Sequence, residues 1–318
     1  MDLSSDRGGP YSLVVCTYSR EREDLLDGLI RSVVAGTVQP DEWVVVVDRE
    51  PALHADLDSR LGAKGIKVLA SPAGGLSAAR NIGWRASFGK WVIFVDDDAT
   101  VAEDWLERII AEAESSRGAI LGGRVEPDWG PAGAPGWYTS RLGWIVGCTF
   151  DGFPESSAEV RSVIGCNMAI KRELLERLDG FAGGLGREGT ALIGSEETEF
   201  CMRAGLAGEQ VWYQPAARVW QVVPLERRGF RYARRRAIGE GRSKARLATL
   251  HGPVLAMEGR YTQELIREGI RRTLTGVIRR PPGTMTQGLA LFWVLGTTAV
   301  AYASERLRLI IAQKLRPR

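Results

Sequence analysis

Residues 71–100 read SPAGGLSAARNIGWRASFGKWVIFVDDDAT and decide the fold that we expect. Residues 76–87 read as a helix that opens at a Gly-Gly turn. The apolar run at residues 91–95 is typical of a buried strand, and three aspartates follow it, Asp96, Asp97 and Asp98. A helix that leads into a fully apolar strand indicates an α/β fold.

The segments upstream repeat this alternation. They read in turn as a strand, a helix and two further strands, at residues 11–17, 21–35, 42–47 and 66–69. The strands are apolar throughout rather than alternating, which predicts a parallel sheet covered on both faces. Ligands of such sheets bind just beyond the carboxyl ends of the strands. This rule directs attention to residues 17–20, 48–49 and 96–98.

The three aspartates are the first candidates for chemistry. Carboxylates at the tip of one strand can converge on a hard cation, and Mg²⁺ and Mn²⁺ prefer oxygen ligands. Unpaired carboxylates also repel one another, and a bound cation relieves that cost. The alternative is a polar loop or a helix cap, a role in which Asp is common.

The Gly-Gly turn is a second candidate. A helix start at Gly75 offers free backbone N–H groups to an anion, and Arg80 adds a guanidinium suited to phosphate oxygens. The alternative is an ordinary helix start with Arg80 exposed to solvent.

Residues 75–98, GLSAARNIGWRASFGKWVIFVDDD, closely resemble family 2 glycosyltransferases. Four further segments are similar to that family in the same order: TYSRE at 17–21, VVVVDRE at 44–50, GCNMAIKRELLERLDGF at 165–181 and GSEETEFCMRAGLAG at 194–208. The resemblance covers about residues 11–225. It implies the GT-A fold, a Rossmann-like, mostly parallel sheet with helices on both faces, here followed by a C-terminal helical extension.

The resemblance also implies roles for individual residues. The donor nucleotide sugar is expected to contact Thr17, Tyr18, Arg20, Asp48, Gly75, Arg80, Asp96 and Asp97. Within this set Asp48 would read the base and Asp97 the ribose. Asp98, with Asp96, would hold a divalent metal, Mg²⁺ or Mn²⁺. Glu197 matches the catalytic base, with Glu196 beside it, and Asn167 and Met168 match the acceptor side.

Two positions depart from the family pattern. Glu197 stands where the family usually has Asp, which preserves the carboxylate on a side chain one methylene longer. Gln221 stands where many relatives have a His that completes the metal shell, so only a neutral amide oxygen is offered there.

One base with no obvious second nucleophile fits a single displacement with inversion, in which the sugar moves from a nucleoside diphosphate to an acceptor hydroxyl. Retention would need either a nucleophile or front-side attack, and the family resemblance favours inversion. We expect a glycan or lipid-linked acceptor in cell-surface polysaccharide or glycolipid synthesis. One alternative is a sugar-1-phosphate nucleotidylyltransferase, although those enzymes carry a Gly-rich loop after the first strand and residues 16–20 contain no glycine. The other is a nucleotide-sugar-binding protein without catalysis.

Composition excludes several classes of protein. A content of 44% hydrophobic and 25% charged residues is that of a globular chain, which excludes disorder and collagen-like repeats. The four cysteines form no close pair and are expected to be buried thiols. With two isolated histidines, zinc hydrolase chemistry is not expected. The polar N-terminus predicts no signal peptide and therefore a cytoplasmic catalytic part.

Charge divides the chain into two expected regions, residues 1–225 and 226–318. The first carries a net charge of −11 and the second +14. A basic tail suits an anionic membrane surface; no nucleic-acid module accompanies it, so no nucleic-acid partner is expected. The uncharged residues 285–304 predict a packed or interfacial helix, with a full membrane span as the alternative. GLGREG at 184–189 follows a helix end rather than a strand, so we interpret it as a loop and not a dinucleotide site.

Overall fold

The computed structural model describes residues 9–183, 196–251, 258–279 and 283–314. Within them the chain forms one nine-stranded mixed sheet. Its first half comprises strands β1 (Tyr11–Thr17), β2 (Glu42–Asp48), β3 (Lys67–Ser71) and β4 (Trp91–Asp96). They lie in the order β3-β2-β1-β4 and all pair in parallel, as predicted. Their carboxyl ends therefore meet at one edge of the sheet.

The second half of the sheet is mixed. It contains β5 (Ala99–Val101), β6 (Ile120–Asp128), β7 (Ala158–Val160), β8 (Asn167–Lys171) and β9 (Val211–Val222). Strand β8 runs antiparallel to β4 and carries the order on through β6, β9 and β5, while β7 pairs with β9. The β5–β9 pairing sets Gln221 opposite Ala99, immediately after the aspartates.

Seven helices cover this sheet within the described residues. They are α1 (Glu23–Val34), α2 (Pro51–Gly62), α3 (Leu76–Ala86), α4 (Trp105–Ser115), α5 (Gly143–Val146), α6 (Arg172–Arg177) and α7 (Glu196–Leu206). Successive residues of a strand face opposite sides of the sheet. Val45 and Val47 accordingly pack in one hydrophobic cluster, and Val44 and Val46 in the other. Both faces are buried, which is why β2 is a continuous valine run.

Several elements differ from the sequence expectation. Helices α2 and α4 and strand β6 were not predicted. Residues 158–171 contain two short strands, β7 and β8, separated by six residues. Residues 127–154 contain the short helix α5 and 3₁₀ turns inside an otherwise irregular segment. The loop predicted at 184–189 lies outside the described residues.

The basic tail forms three helices in the described residues: α8 (Phe230–His251), α9 (Glu258–Arg279) and α10 (Thr284–Lys314). It is anchored to the sheet region by specific bonds. The Trp137 indole donates to the Arg228 carbonyl at 2.8 Å, and Arg141 pairs with Glu264 of α9 at 3.2 Å. The tail therefore packs on the sheet region rather than trailing from it.

Candidate active site

The carboxyl edge of the parallel strands gathers the polar residues that follow β1, β2 and β4. Thr17 ends β1 opposite Val47 of β2, and Cys16 lies opposite Asp96 of β4. The register thus brings three predicted site segments to one edge, as the parallel topology requires.

Asp48 closes the loop that leads into α3. Its Oδ2 accepts the backbone N–H of Gly75 at 2.9 Å. Its Oδ1 is buried and has no hydrogen-bond partner among the described residues. Gly74 and Gly75 both have positive φ, and a Cβ at Gly74 would lie 1.6 Å from Nε of Arg49. Only glycine fits that turn, and the turn leaves one carboxylate oxygen available to a donor group.

Asp97 and Asp98 are closed around a guanidinium. Their side chains are each 3% exposed. Arg22 donates to Asp97 through Nε at 3.0 and 2.9 Å and through Nη2 at 2.5 Å, and the same Nη2 lies 2.8 Å from Oδ2 of Asp98. A cationic group therefore lies between two buried carboxylates at the strand tip.

Burial and neighbouring charges have opposite effects on the pKa values of this cluster. Burial raises the pKa of Asp97, and the hydrogen bonds and charge of Arg22 oppose that rise. Thr17, itself buried, also hydrogen-bonds the Asp97 carboxylate and lowers its pKa. Burial by itself lowers the pKa of Arg22, but the two aspartates raise it above its ordinary value. The guanidinium thus remains charged and offsets one of the two negative charges of the pair.

Arg22 was missed by sequence reasoning, which selected Arg20. The guanidinium of Arg20 is half exposed and pairs with Asp56 of α2 and with Glu23, so the structure does not bring it to the aspartates. The predicted Tyr18 is 56% exposed and lies under Arg22, whose Cζ is 5.0 Å from its ring centroid. The ERE sequence around Arg22 is typical of the solvent-exposed surface at a helix start, so it did not indicate that Arg22 binds Asp97 and Asp98.

Gln221 completes the surroundings of Asp98. Its Nε2 lies 3.4 Å from Oδ1 of Asp98, and its Oε1 is buried without a hydrogen-bond partner in the described residues. Nη1 of Arg227, from the start of the tail, is 3.9 Å from Oδ2 of Asp98. An unsatisfied amide oxygen therefore lies close to a carboxylate that already faces two arginines.

Arg80, predicted to contact the donor phosphates, is buried. It is 2% exposed, and its Cζ lies 5.8 Å from the ring centroid of Phe94 and 5.6 Å from that of Phe181. Nη1 contacts Glu196 Oε1 at 3.2 Å, and Nη2 donates to the Gly165 carbonyl at 3.1 Å and to Asp96 at 3.4 Å. Arg80 thus joins the strand tip of β4 to the start of α7, because its charge is compensated at both ends.

The two glutamates at the start of α7 differ in environment. Glu196 is 4% exposed and paired with Arg80. Burial and the negative charge of Glu196 raise the pKa of Glu197 to about 7, while the charges of Arg80 and of Arg236 in α8 lower it. A carboxyl group that titrates near neutrality is suited to accept a proton. Of the pair, Glu197 is the better candidate for a base.

The structure places the two residues predicted on the acceptor side in the interior. Asn167 and Met168 are both 0% exposed. Asn167 accepts the Trp105 indole N–H at 2.9 Å and donates to the Arg124 and Ala217 carbonyls, so its amide is fully used in linking strands. Met168 belongs to the hydrophobic cluster with Phe94. Both side chains are thus engaged in interior contacts.

Metal-ligating clusters and thiols need separate mention. Over the ranges that the structure describes, no group of three or more His, Cys, Asp or Glu is placed to hold a metal ion. All four cysteines are free, three of them buried and Cys16 half-buried. Burial raises the pKa of Cys16 and of Cys201 to about 12, so neither is a reactive thiolate near neutral pH.

Three known proteins resemble this chain over most of its length. It is 31% identical to the Glucosyl-dolichyl phosphate glucuronosyltransferase of Haloferax volcanii, covering 92% of this chain and 94% of that protein. It is 29% identical to the Succinoglycan biosynthesis protein ExoM of Rhizobium meliloti over 73% of each. The solved Mannosyltransferase PcManGT from Pyrobaculum calidifontis, in complex with GDP-Man and Mn²⁺, covers 94% of this chain and 87% of its own, at 18% identity and a TM-score of 0.57.

The likeness to the mannosyltransferase confirms the predicted α/β GT-A fold. Both named relatives and the family model support a transferase, so the chain is a glycosyltransferase enzyme with homologues in glycolipid and polysaccharide synthesis. The model of Glycosyl transferase family 2 matches residues 12–179, more than half of the sequence. The chain belongs to glycosyl transferase family 2.

Proposed function

We propose that this glycosyltransferase moves a sugar from a nucleoside-diphosphate donor to a hydroxyl of a lipid-linked acceptor, with inversion. The observation that carries the proposal is the buried Asp97–Asp98 pair closed around a cationic group. A site that stabilises positive charge between two carboxylates is the kind of site that binds a diphosphate through a cation.

Asp48 supplies the nucleotide end of this site. The unpartnered Oδ1 can accept an N–H from a base, while the Gly75 bond holds the carboxylate in place. Asp97 is assigned to the ribose. Both its oxygens are bonded to Arg22, so donor binding requires Arg22 to release at least one of them. Tyr18 is exposed and its ring lies against the Arg22 guanidinium, so the two side chains can move together.

A divalent metal, Mg²⁺ or Mn²⁺, fits the chemistry of the residues around Asp98. The carboxylate of Asp98 and the unsatisfied Oε1 of Gln221 are oxygen donors, as hard cations require, with Asp96 partly exposed beside them. When bound, the metal would neutralise the charge that develops on the departing diphosphate. Arg22 and Arg227 contribute positive charge at the same carboxylate.

Glu197 is assigned as the base. Its carboxylate takes the proton from the acceptor hydroxyl, the acceptor oxygen forms a bond to the anomeric carbon, and the bond from that carbon to the diphosphate breaks. Glu196 is held by Arg80 and does not compete for the proton. A single base on one side of the donor favours inversion, since retention by double displacement would need a second carboxylate as the nucleophile.

The acceptor class follows from the relatives. One is named for a glucosyl-dolichyl phosphate acceptor and another for succinoglycan synthesis. We therefore assign a lipid-linked glycan acceptor and place the reaction on the cytoplasmic face of the cell membrane. We also propose that residues 1–225 form the catalytic domain and residues 226–318 an extension, although Arg227 and Arg236 reach the site from the latter.

The proposal is tested by thermal shift with a panel of nucleoside diphosphates and nucleotide sugars, with and without Mn²⁺. We expect one nucleotide to raise the melting temperature of the wild type in the presence of Mn²⁺. Asp98→Asn should lose that shift, and Asp58→Asn, an exposed position on α2, should keep it. No shift with any nucleotide, or an undiminished shift in Asp98→Asn, would contradict the proposed donor site.

Turnover is tested by the release of free nucleoside diphosphate from the matching donor, which a protein that only binds nucleotide sugars does not produce.

A further inference from the structure

The tail exposes apolar side chains along both α9 and α10. On α9, Ile270, Leu274 and Val277 follow one another at helical spacing and are about half exposed. On α10 the exposed residues are Met285, Leu289, Phe292, Trp293, Val300, Leu307, Ile310 and Ile311. The two helices pack antiparallel, since Gly276 lies against Met285 and Gly269 against Phe292. Exposed apolar surface of this extent is typical of an interaction site.

A groove of about 530 Å³ runs between α8 and α10 beside this apolar surface. Arg234, Ile238 and Arg242 line it from α8, one helical turn apart, and Trp293 and Val300 line it from α10. Arg234 and Arg242 are exposed and make no ion pair with any described residue. The groove thus combines apolar walls with two uncompensated guanidinium groups.

We propose that this surface, the groove with the exposed faces of α9 and α10, docks on a bilayer of anionic phospholipid. Guanidinium groups bind lipid phosphates, and apolar side chains enter the acyl region beneath them. Trp at the border of the two suits the interface between head groups and acyl chains. The inference deepens the proposed membrane location but rests on none of the proposed chemistry.

Charge argues for a lipid partner over a second copy of the chain. Residues 226–318 carry 20 arginines and lysines against six glutamates. Two such faces brought together would repel each other, whereas an anionic bilayer attracts both.

The packing of α10 argues for a surface position over a span. Residues 284–312 form one helix long and apolar enough to cross a membrane. However, α8 lies along it: Gly241 approaches the Thr298 carbonyl, and Glu305, 4% exposed, pairs with Arg246 at 3.1 Å. A span would have to strip the arginine-rich α8 from α10 and place Glu305 in hydrocarbon without its partner Arg246, which is costly.

The test is co-sedimentation of the full chain with vesicles of phosphatidylglycerol and phosphatidylcholine, or of phosphatidylcholine alone. We expect binding to the anionic vesicles only. Arg234→Ala combined with Arg242→Ala should weaken it by on the order of tenfold or more. Arg117→Ala, an exposed arginine of the sheet region, should not change it. Equal binding to both vesicle types, or no binding, would overturn the proposal.

A second pair of variants tests the apolar part. Leu274→Glu combined with Val300→Glu should lower vesicle binding at least tenfold. Val34→Glu, the same type of substitution at an exposed apolar position of α1, should leave vesicle binding unchanged. Melting temperature establishes that each variant is folded. A wild-type dimer that the Leu274/Val300 variant converts to monomer would assign the surface to a second copy. Vesicle-bound protein that resists alkaline carbonate would indicate a span. Either result would overturn the surface-docking proposal, and neither bears on the donor site.

Discussion

The sheet region buries charged side chains, whereas the helical tail exposes apolar ones. In the sheet region, charged groups such as Arg80, Asp97 and Glu196 are buried and paired. In the tail, large apolar side chains are exposed along two helices. Burying charge is costly unless partners are fixed, and exposing apolar surface is costly unless something covers it. Each region is thus arranged for a ligand, one polar and one apolar.

The largest effect is expected where the buried charges of the sheet region are broken. Arg80→Met should remove the guanidinium that pairs with Asp96 and with the buried Glu196 carboxylate, so a buried ion pair is broken. We expect a loss of about 3–5 kcal/mol in the free energy of unfolding, measured in urea. Arg108→Met, which breaks the exposed pair with Asp104, should cost about 1 kcal/mol or less. Equal costs would contradict the contrast between buried and exposed charge.

Glu197→Gln sharpens the comparison within the site itself. Turnover should fall about 10²-fold or more, the scale of a lost general base, while donor affinity holds. The measurement is kcat together with calorimetric donor binding, and Glu173→Gln on the exposed side of α6 serves as the control. Turnover like that of the wild type would give the role to another group, Glu196 first.

The pH profile tests the same residue without mutation. Because the pKa of Glu197 is raised to about 7 and the base must be deprotonated, kcat/KM should rise about tenfold per pH unit below pH 7 and level off above it. A profile that is flat from pH 5 to 8 would show that no group with this pKa limits the reaction.

The raised pKa of Glu197 also bears on stability. A carboxyl group whose pKa is raised by folding, here from 4.5 to about 7, disfavours the folded state once it ionises. The cost is absent below pH 4.5, grows as pH rises, and is complete above pH 7. Glu197→Gln should therefore melt at a higher temperature than the wild type at pH 8, with the difference vanishing near pH 4.5. A lower melting temperature at pH 8 would contradict this assignment.

The same comparison explains how much the sequence could predict. Strands β1, β2 and β4 could be predicted because their apolar runs are local features of the sequence. The positions of Asp48 and Asp98 could be predicted as well, because parallel strands bring their carboxyl ends to one edge of the sheet. The role of Arg22 could not, since it depends on a long-range approach to Asp97 from a segment that reads as a helix surface. Asn167 matched a family motif, yet its amide is spent on Trp105 and two backbone carbonyls. A motif gives a position in the chain, and only packing decides which way its side chain faces.

The tail shows the limit in a different form. Composition predicted a basic helical region and a long apolar helix, both of which the structure contains. It could not predict that α8 lies along α10 or that Arg246 meets Glu305. Those contacts, made between helices distant in sequence, decide between a surface helix and a span.

The central claim is that the sheet region binds the donor and the helical tail docks on the membrane. The most direct test measures two activities, nucleotide affinity with Mn²⁺ by calorimetry and vesicle binding by co-sedimentation, in one variant of each region. Asp98→Asn should lose nucleotide binding and keep vesicle binding, and Leu274→Glu with Val300→Glu should do the reverse. If either folded variant loses both activities, or neither, the division of work is contradicted.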